Sequence, residues 1–539
     1  MRLKSSLCNA ITAPLAASLL LAGTVHAQVL TGWAEMPAAT FADGPTSGQF
    51  AAPNPYGTNP PPFENRQPVQ GFSAVLAGPR KNVYHFLVDN GFGAQANSAD
   101  SLLRAYTLEI NWRTRNGGAG TVHAQVLTGW AEMPAATFAD GPTSGQFAAP
   151  NPYGTNLPPF ENRQPVQGFS AVLAGPRKNV YHFLVDNGFG AQANSADSLL
   201  RAYTLEINWR TRNGGPGTVN PADWNTGRER AAFDVHTRLQ LNDSRHKLTL
   251  PIQADYANYY NKPTNPPVDP SIRAGRLLTG ADFDIESFRR DRNGNYWFGD
   301  EFGPYLIKTD AQGTVLRSEI SLPGVFAPEN KDVVAGRAVA NLGSSRGFEG
   351  MAINKSGTKL YTLLEGTVAG DPPKTLRIDE FDILSESYTG RRFVYMLDVN
   401  GTNIGDMVAA DDRRFIVLER NGSTATAPTP APFKKVYLID IEDVADGGVA
   451  RKMELVDLMN LADPFDLNGD GSQIFTFPYV TIENVLVLDS RTLLVANDNN
   501  FPYGGGRALA SDNTEFLRIR LPVSLFADER DCDEDKDKD

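Results

Sequence analysis

Phe348-Glu-Gly-Met-Ala-Ile353, then Lys355-Ser-Gly357, then Lys359-Leu-Tyr-Thr-Leu-Leu-Glu365 is a short apolar run headed by an acid, a tight turn, and a second apolar run closed by another acid. Runs this short, bounded by turn formers, read as two strands of a hairpin. A third strand follows at Thr375-Leu-Arg-Ile378. The same unit recurs along the chain. Phe169-Ser-Ala-Val-Leu leads to Tyr181-His-Phe-Leu-Val and Ala202-Tyr-Thr-Leu-Glu-Ile. Asp284-Ile-Glu-Ser-Phe leads to Tyr296-Trp-Phe-Gly and Tyr305-Leu-Ile-Lys. Asp406-Met-Val leads to Arg414-Phe-Ile-Val-Leu and Lys435-Val-Tyr-Leu-Ile, and Ile482-Glu-Asn-Val-Leu leads to Thr492-Leu-Leu-Val and Glu515-Phe-Leu-Arg-Ile. No convincing amphipathic helix interrupts them. Strand, turn, strand, loop, strand, repeated radially, is how a β-propeller limits its exposed sheet edges. The fold expected is therefore all-β: a propeller of five to seven blades. Six is the leading count, because Gly217–Gly280 is long enough for one more blade or for the outer strands of the first.

The acids keep a register. Glu286 is followed by Asp300 and Glu301, Glu349 by Glu365, Asp406 by Glu419, and Glu483 by Asp498, at spacings of 14, 16, 13 and 15 residues from the first acid of each pair. In the first unit Ser170 precedes Asp186 by 16. Strand interiors disfavour Asp and Glu, and an unpaired buried carboxylate is costly, so the recurrence needs a reason. The first strand of each blade lines the central channel, so the acids are expected to converge at one end of it. Crowded carboxylates repel, and a divalent cation or shared protons relieve the repulsion. Ligation by oxygen alone, with no His or Cys at these positions, points to Ca²⁺. Asp186, Glu286, Asp300, Asp406, Glu483 and Asp498 are the candidate metal ligands. Glu301, Glu349, Glu365 and Glu419 are the candidate catalytic acids, with Glu349 or Glu301 as general base. Arg346, Arg420 and Lys434 are the cations placed to hold substrate or, in the alternative, to neutralise a neighbouring acid. The alternative is that the acids close the blades by accepting backbone N–H groups.

A net charge of −12 argues against a nucleic-acid partner. The N-terminus reads as a signal peptide over 1–27: Arg2 and Lys4, an apolar stretch Ile11–Leu21, and Val25-His26-Ala27 before Gln28. That stretch is too short to span a bilayer, so the expectation is a periplasmic or secreted protein without membrane insertion. Beyond the signal only Cys532 remains, which leaves no intrachain disulfide. The end of the chain, 523–539, is an acidic tail. Residues Ala22–Gly118 recur as Ala119–Gly215 with one difference, Pro60 against Leu157. Only one copy can have partner strands in a closed ring, and the other is left with bare edges. The copy contiguous with the rest is expected in the fold, within a propeller domain over 125–522, and segment 28–118 outside it.

Other hydrolytic chemistries fit poorly. Gly343-Ser-Ser-Arg-Gly347 spells Gly-x-Ser-x-Gly, but that elbow needs a helix after it. Here Phe348 onward reads as a strand, and no His follows Ser345. A Gly/Ser turn is expected instead. Asp466-x-Asn468-x-Asp470-Gly471 resembles half a calcium loop, but its twelfth position is Phe477, so it reads as a turn.

Gln167-Gly-Phe-Ser, Asp186-Asn-Gly-Phe-Gly, Leu278-Thr-Gly-Ala-Asp-Phe-Asp-Ile-Glu-Ser, Trp297-Phe-Gly-Asp-Glu-Phe-Gly-Pro, Ser345-Arg-Gly-Phe-Glu-Gly-Met-Ala, Ile404-Gly-Asp-Met, Thr481-Ile-Glu-Asn and Asn497-Asp-Asn-Asn occur in that order. Together these motifs resemble the phytase-like family, "esterase-like activity of phytase", of exported bacterial proteins. The resemblance implies a propeller whose Asp and Glu residues hydrolyse phosphoesters, with a small phosphorylated ester as substrate. Two alternatives stay open: a calcium-dependent lactone or carboxyl-ester hydrolase, and a non-enzymatic ligand-binding propeller with structural Ca²⁺. The sequence leaves the oligomeric state open.

Overall fold

Phe415-Ile-Val-Leu418 shows why these strands form a propeller. Phe415 and Val417 enter one apolar core and Ile416 and Leu418 the next. Successive side chains of a strand point to opposite faces, and a strand that is apolar at every position needs cover on both. A blade between two other blades supplies it. The computed structural model describes residues 36, 40–51, 61–69, 71–78, 83–89, 91–92, 98–111, 121–123, 125–155, 157–522 and 524–526. The expected signal peptide and nearly all of the acidic tail lie outside the described residues.

The innermost strands are Phe169–Ala174, Ile285–Arg290, Gly350–Ile353, Asn403–Ala409 and Ile482–Asp489. Each lies against the next, and the last returns to the first. Five apolar cores fill the five gaps between adjacent blades. The blade count is therefore five, the lower end of the expected range. The segment considered for a sixth blade instead gives the first blade its outer strands, Thr218–Pro221 and Arg238–Gln240, both paired with Arg201–Asn208.

Closure uses the start of the propeller domain. Val126–Met133 pairs antiparallel with Thr514–Arg520 and completes the last blade as its outermost strand. Its Trp130 indole donates to Glu515 Oε2 at 3.2 Å. The same strand meets the first blade at Thr218 and Glu132, so first and last blades join in one sheet. The turns follow side-chain chemistry. In the second blade Asp291 Oδ1 accepts from the N–H groups of Asn293 (2.9 Å) and Asn295 (3.0 Å), and Gly294 takes the left-handed conformation that closes the hairpin.

Phe72–Ala77, Val83–Val88 and Ala105–Asn111 of the first copy form a separate sheet, completed by Thr121–His123 from the start of the second copy, and among the described residues these strands pair with none of the blades. Val75 is 54% exposed where its counterpart Val172 is fully buried, and Leu103 is 75% exposed where Leu200 is fully buried. Identical local sequence thus reaches opposite burial, because only the second copy has neighbouring blades.

Candidate active site at one end of the channel

Four of the five innermost strands carry a β-bulge at the same end, at Ser170, Glu286, Gly405 and Glu483. In the third blade Glu349 stands just before the strand. A bulge re-aims one side chain out of the regular alternation, and here it aims Glu286 and Glu483 into the channel. The facing positions at the ends of the second strands are Asp186, Glu301, Glu365, Arg420 and Asp498. In the fourth blade the channel pair is therefore Gly405 and Arg420, one residue removed from the expected Asp406 and Glu419. Gly405 is required: a Cβ there would stand 2.0 Å from the carbonyl oxygen of Ile482. Its absence lets the fourth and fifth blades close up around the Arg420 side chain.

That guanidinium sits among carboxylates. Arg420 Nη2 is 2.8 Å from Glu483 Oε1, 3.4 Å from Glu365 Oε1 and 3.5 Å from Glu349 Oε1. Glu365 also accepts from Arg346 Nη1 at 2.7 Å and Asn403 Nδ2 at 2.6 Å. Arg346 is 43% exposed, which puts it at the rim. Glu483 Oε2 accepts from Ser170 at 3.4 Å. Asp186 accepts the N–H of Gly188 and Asp498 that of Asn500. Asp284 Oδ2 accepts the hydroxyl of Ser345 at 2.9 Å. Glu301 Oε1 is buried with no hydrogen-bond partner.

Burial, followed by the repulsion of Asp284, Glu349, Glu483 and Asp186, holds Glu286 well above the usual carboxylate range. Burial and then Glu483, Glu365 and Glu301 do the same to Glu349, and burial with Glu365 and Asp284 to Glu301. Asp186 is raised by burial and by Asp498. Burial pushes Glu483 up to about 8 against the pull of Arg420. It pushes Asp284 up to about 7 against hydrogen bonds from Glu286 and Ser345, and Asp498 up to about 6 against the N–H of Asn500. Arg420 holds its proton more tightly than an ordinary guanidinium: burial opposes this, and Glu483, Glu365 and Glu349 outweigh burial.

Other predicted residues lie elsewhere. Asp300 accepts the N–H groups of Asp284 (2.9 Å) and Gly303 (2.8 Å), so both its oxygens fasten the hairpin. Asp406 faces the other way along its strand and pairs with buried Arg289 at 3.0 Å, with further bonds from the N–H groups of Met407 and Val485. Glu419 points between the third and fourth blades, where Tyr395 (2.5 Å), Lys452 and the N–H of Asp398 (2.7 Å) bind it. Lys434 is 1% exposed and its Nζ donates to the carbonyl of Asn421. Burial, then Arg420, pushes it down to about 6. Asp284 and Ser345 were not among the expected residues. The alternation Asp282-x-Asp284-x-Glu286 is the signal that marks Asp284.

The donors at this end of the channel are of the chemical kind that a hard cation takes. They are all oxygen, the carboxylates outnumber the two guanidiniums, and Glu301 Oε1 has no partner. Among the described residues no three acids are gathered as a metal shell. Arg420 takes the place where Glu349, Glu365 and Glu483 come nearest.

The family model described as "Phytase-like: Esterase-like activity of phytase" matches residues 164–501. The chain belongs to the phytase-like family. All the channel residues above lie within that match. A curated relative of this phytase-like chain, an uncharacterized secreted protein of Arthroderma benhamiae, is 26% identical over 123 residues, 19% of this chain and 24% of the relative. The chain thus matches about a quarter of that relative's length. Among solved structures, the periplasmic gluconolactonase PpgL of Pseudomonas aeruginosa is 11% identical over 73% of this chain and 99% of its own, with a TM-score of 0.27. The β-propeller domain of Cps50 from Myceliophteria thermophila is 8% identical over 66% of this chain and 85% of its own, with a TM-score of 0.26. Likenesses this loose carry no argument about activity. No helix among the described residues is long and apolar enough to cross a membrane.

Proposed function

We propose that this phytase-like chain is an exported hydrolase of small phosphorylated esters, working at the Arg420 end of the channel with Ca²⁺. The observation that carries the reading is the surplus of buried carboxylates over counter-charge. Asp186, Asp284, Glu286, Glu301, Glu349, Glu483 and Asp498 face one another with, among the described residues, Arg420 and Arg346 as the cations between them. A fold keeps so costly a cluster where a ligand or a reaction uses it. Asp186, Glu286, Glu483 and Asp498 are the residues that would hold the cation. When bound, it supplies charge neutralisation for phosphate oxygens and acidifies water.

The protein's own groups do the rest. Arg346, half-exposed with one nitrogen on Glu365, presents the remainder of its planar fork to an incoming phosphate. Arg420 holds Glu349, Glu365 and Glu483 in place rather than meeting substrate. Glu301, with a buried oxygen that has no partner, is the proton acceptor for water, and Glu349 lies beside it as the second choice.

The test is hydrolysis of a panel of phosphomonoesters, phosphodiesters, lactones and carboxyl esters by the full chain, with Ca²⁺ and with chelator. Release of phosphate that needs Ca²⁺ is the expected result. Turnover confined to lactones or carboxyl esters moves the substrate class. No turnover, with a Ca²⁺-dependent rise in melting temperature, sinks the enzymatic reading.

A further inference from the structure

The turn Gly343–Gly347 does not behave as a plain loop. Ser345 sits in the left-handed region at φ 44°, a conformation that side chains other than glycine rarely hold and that recurs at functional sites. Its hydroxyl lies 2.9 Å from Asp284 Oδ2, and Asp284 is 3% exposed while Ser345 is half-buried and open to the channel rim. Among the described residues the backbone N–H groups of Ser345, Arg346 and Gly347 have no acceptor. Successive free N–H groups around a left-handed residue form a concavity suited to an anion. Gly347 presses the turn onto the acids, since a Cβ on it would stand 2.5 Å from Glu301 Cα. Arg346 adds a guanidinium at the same spot.

We propose that Ser345 is the attacking group of this hydrolase, with Asp284 as its proton acceptor and the N–H groups of Arg346 and Gly347 as donors to the developing oxyanion. The inference rests on the hydrolytic reading above and supplies its nucleophile. No histidine is needed, because a carboxylate already holds the hydroxyl. In the first step the Ser345 Oγ–P bond forms and the ester P–O bond breaks. The serine proton passes to Asp284 and on to the leaving alkoxide, which departs as the alcohol. In the second step water attacks phosphorus and gives its proton to Glu301. The Oγ–P bond breaks, and a proton equal to the one water released returns to Ser345. The net change is ester plus water to alcohol plus phosphate.

The full chain is treated with diisopropyl fluorophosphate, which loses fluoride to an activated serine oxygen, and the labelled position is read from peptide fragment spectra. Hydrolysis of 4-nitrophenyl phosphate is followed for a burst. One label on Ser345 and a stoichiometric burst are expected. Ser345→Ala loses the label and at least about 100-fold in kcat with an unchanged melting temperature. Ser344→Ala, whose hydroxyl bonds Glu329 instead, keeps label and rate. Turnover by Ser345→Ala at the wild-type rate, or a label elsewhere on an active chain, overturns Ser345 and leaves the hydrolytic reading standing. A labelled Ser345 in a chain that turns over no ester on the panel does the reverse.

Discussion

Arg420→Met is expected to destabilise the protein by about 3–5 kcal/mol at neutral pH, the usual cost of breaking a buried ion pair. Among the described residues Arg420 is the one buried cation within 3.5 Å of Glu349, Glu365 and Glu483. Methionine matches its apolar stem but leaves those carboxylates facing one another. They can respond only by holding protons more tightly, so the deficit depends on pH. It is largest near pH 8, where wild-type Glu483 is ionising. It shrinks as pH falls below the folded value of Glu483, because a Glu483 that already holds its proton loses no counter-charge. Arg420→Lys recovers part of the loss, since a compact ammonium cannot span three carboxylates. Urea unfolding of the three proteins at pH 5 and pH 8 measures this. Equal losses for Arg420→Met at both values would show that Arg420 acts through packing alone.

The second large effect is a linked response to pH and Ca²⁺. Glu483 rises from 4.5 to about 8, Asp284 from 3.8 to about 7 and Asp498 from 3.8 to about 6, each chiefly through burial. A carboxyl whose folded value lies above its unfolded value binds its proton more tightly when folded. The stability it contributes is complete below the unfolded value and is lost as pH rises through the folded one. In the absence of divalent cations, stability therefore falls between about pH 4 and pH 8, by a few kcal/mol in order of magnitude. Ca²⁺ binds deprotonated oxygens, so it restores stability at pH 8 and does little at pH 5. At one hundred times its dissociation constant the gain is about 2.7 kcal/mol. Melting curves across this range, with Ca²⁺ and with chelator, check both signs. A Ca²⁺ shift of equal size at pH 5 and pH 8 would place the ion away from these acids.

The repeated hairpin unit was legible because strand period, turn residues and length all agree within it. The blade count was less so: Gly217–Gly280 is rich in turn formers, and only packing shows that its strands extend an existing sheet. The acid register was legible to within one residue. A bulge adds one residue to a strand, and a shift of one turns a side chain to the other face. That is why Asp300, Asp406 and Glu419 were expected in the channel beside Glu301 and Arg420, while in the structure Glu301, Gly405 and Arg420 hold those positions and the other three face away. Lys434 follows Phe433 into the blade, and nothing in its local sequence distinguishes a buried lysine from one at the rim. Ser345 carries a familiar motif, but the backbone angle and the carboxylate that single it out arise only when the second and third blades meet.

The most direct test of the account compares two glutamates that the sequence makes equivalent. Glu301 has a buried oxygen without a partner, whereas Glu419 is held by Tyr395, Lys452 and the N–H of Asp398. The measurement is kcat for 4-nitrophenyl phosphate with Ca²⁺, alongside urea unfolding, for Glu301→Gln and Glu419→Gln. Glu301→Gln is expected to lower kcat by about 100-fold or more while remaining as stable as the wild type. Glu419→Gln is expected to lose about 1–3 kcal/mol of stability and to keep its kcat. Unimpaired hydrolysis by Glu301→Gln would contradict the claim that this end of the channel is the active site.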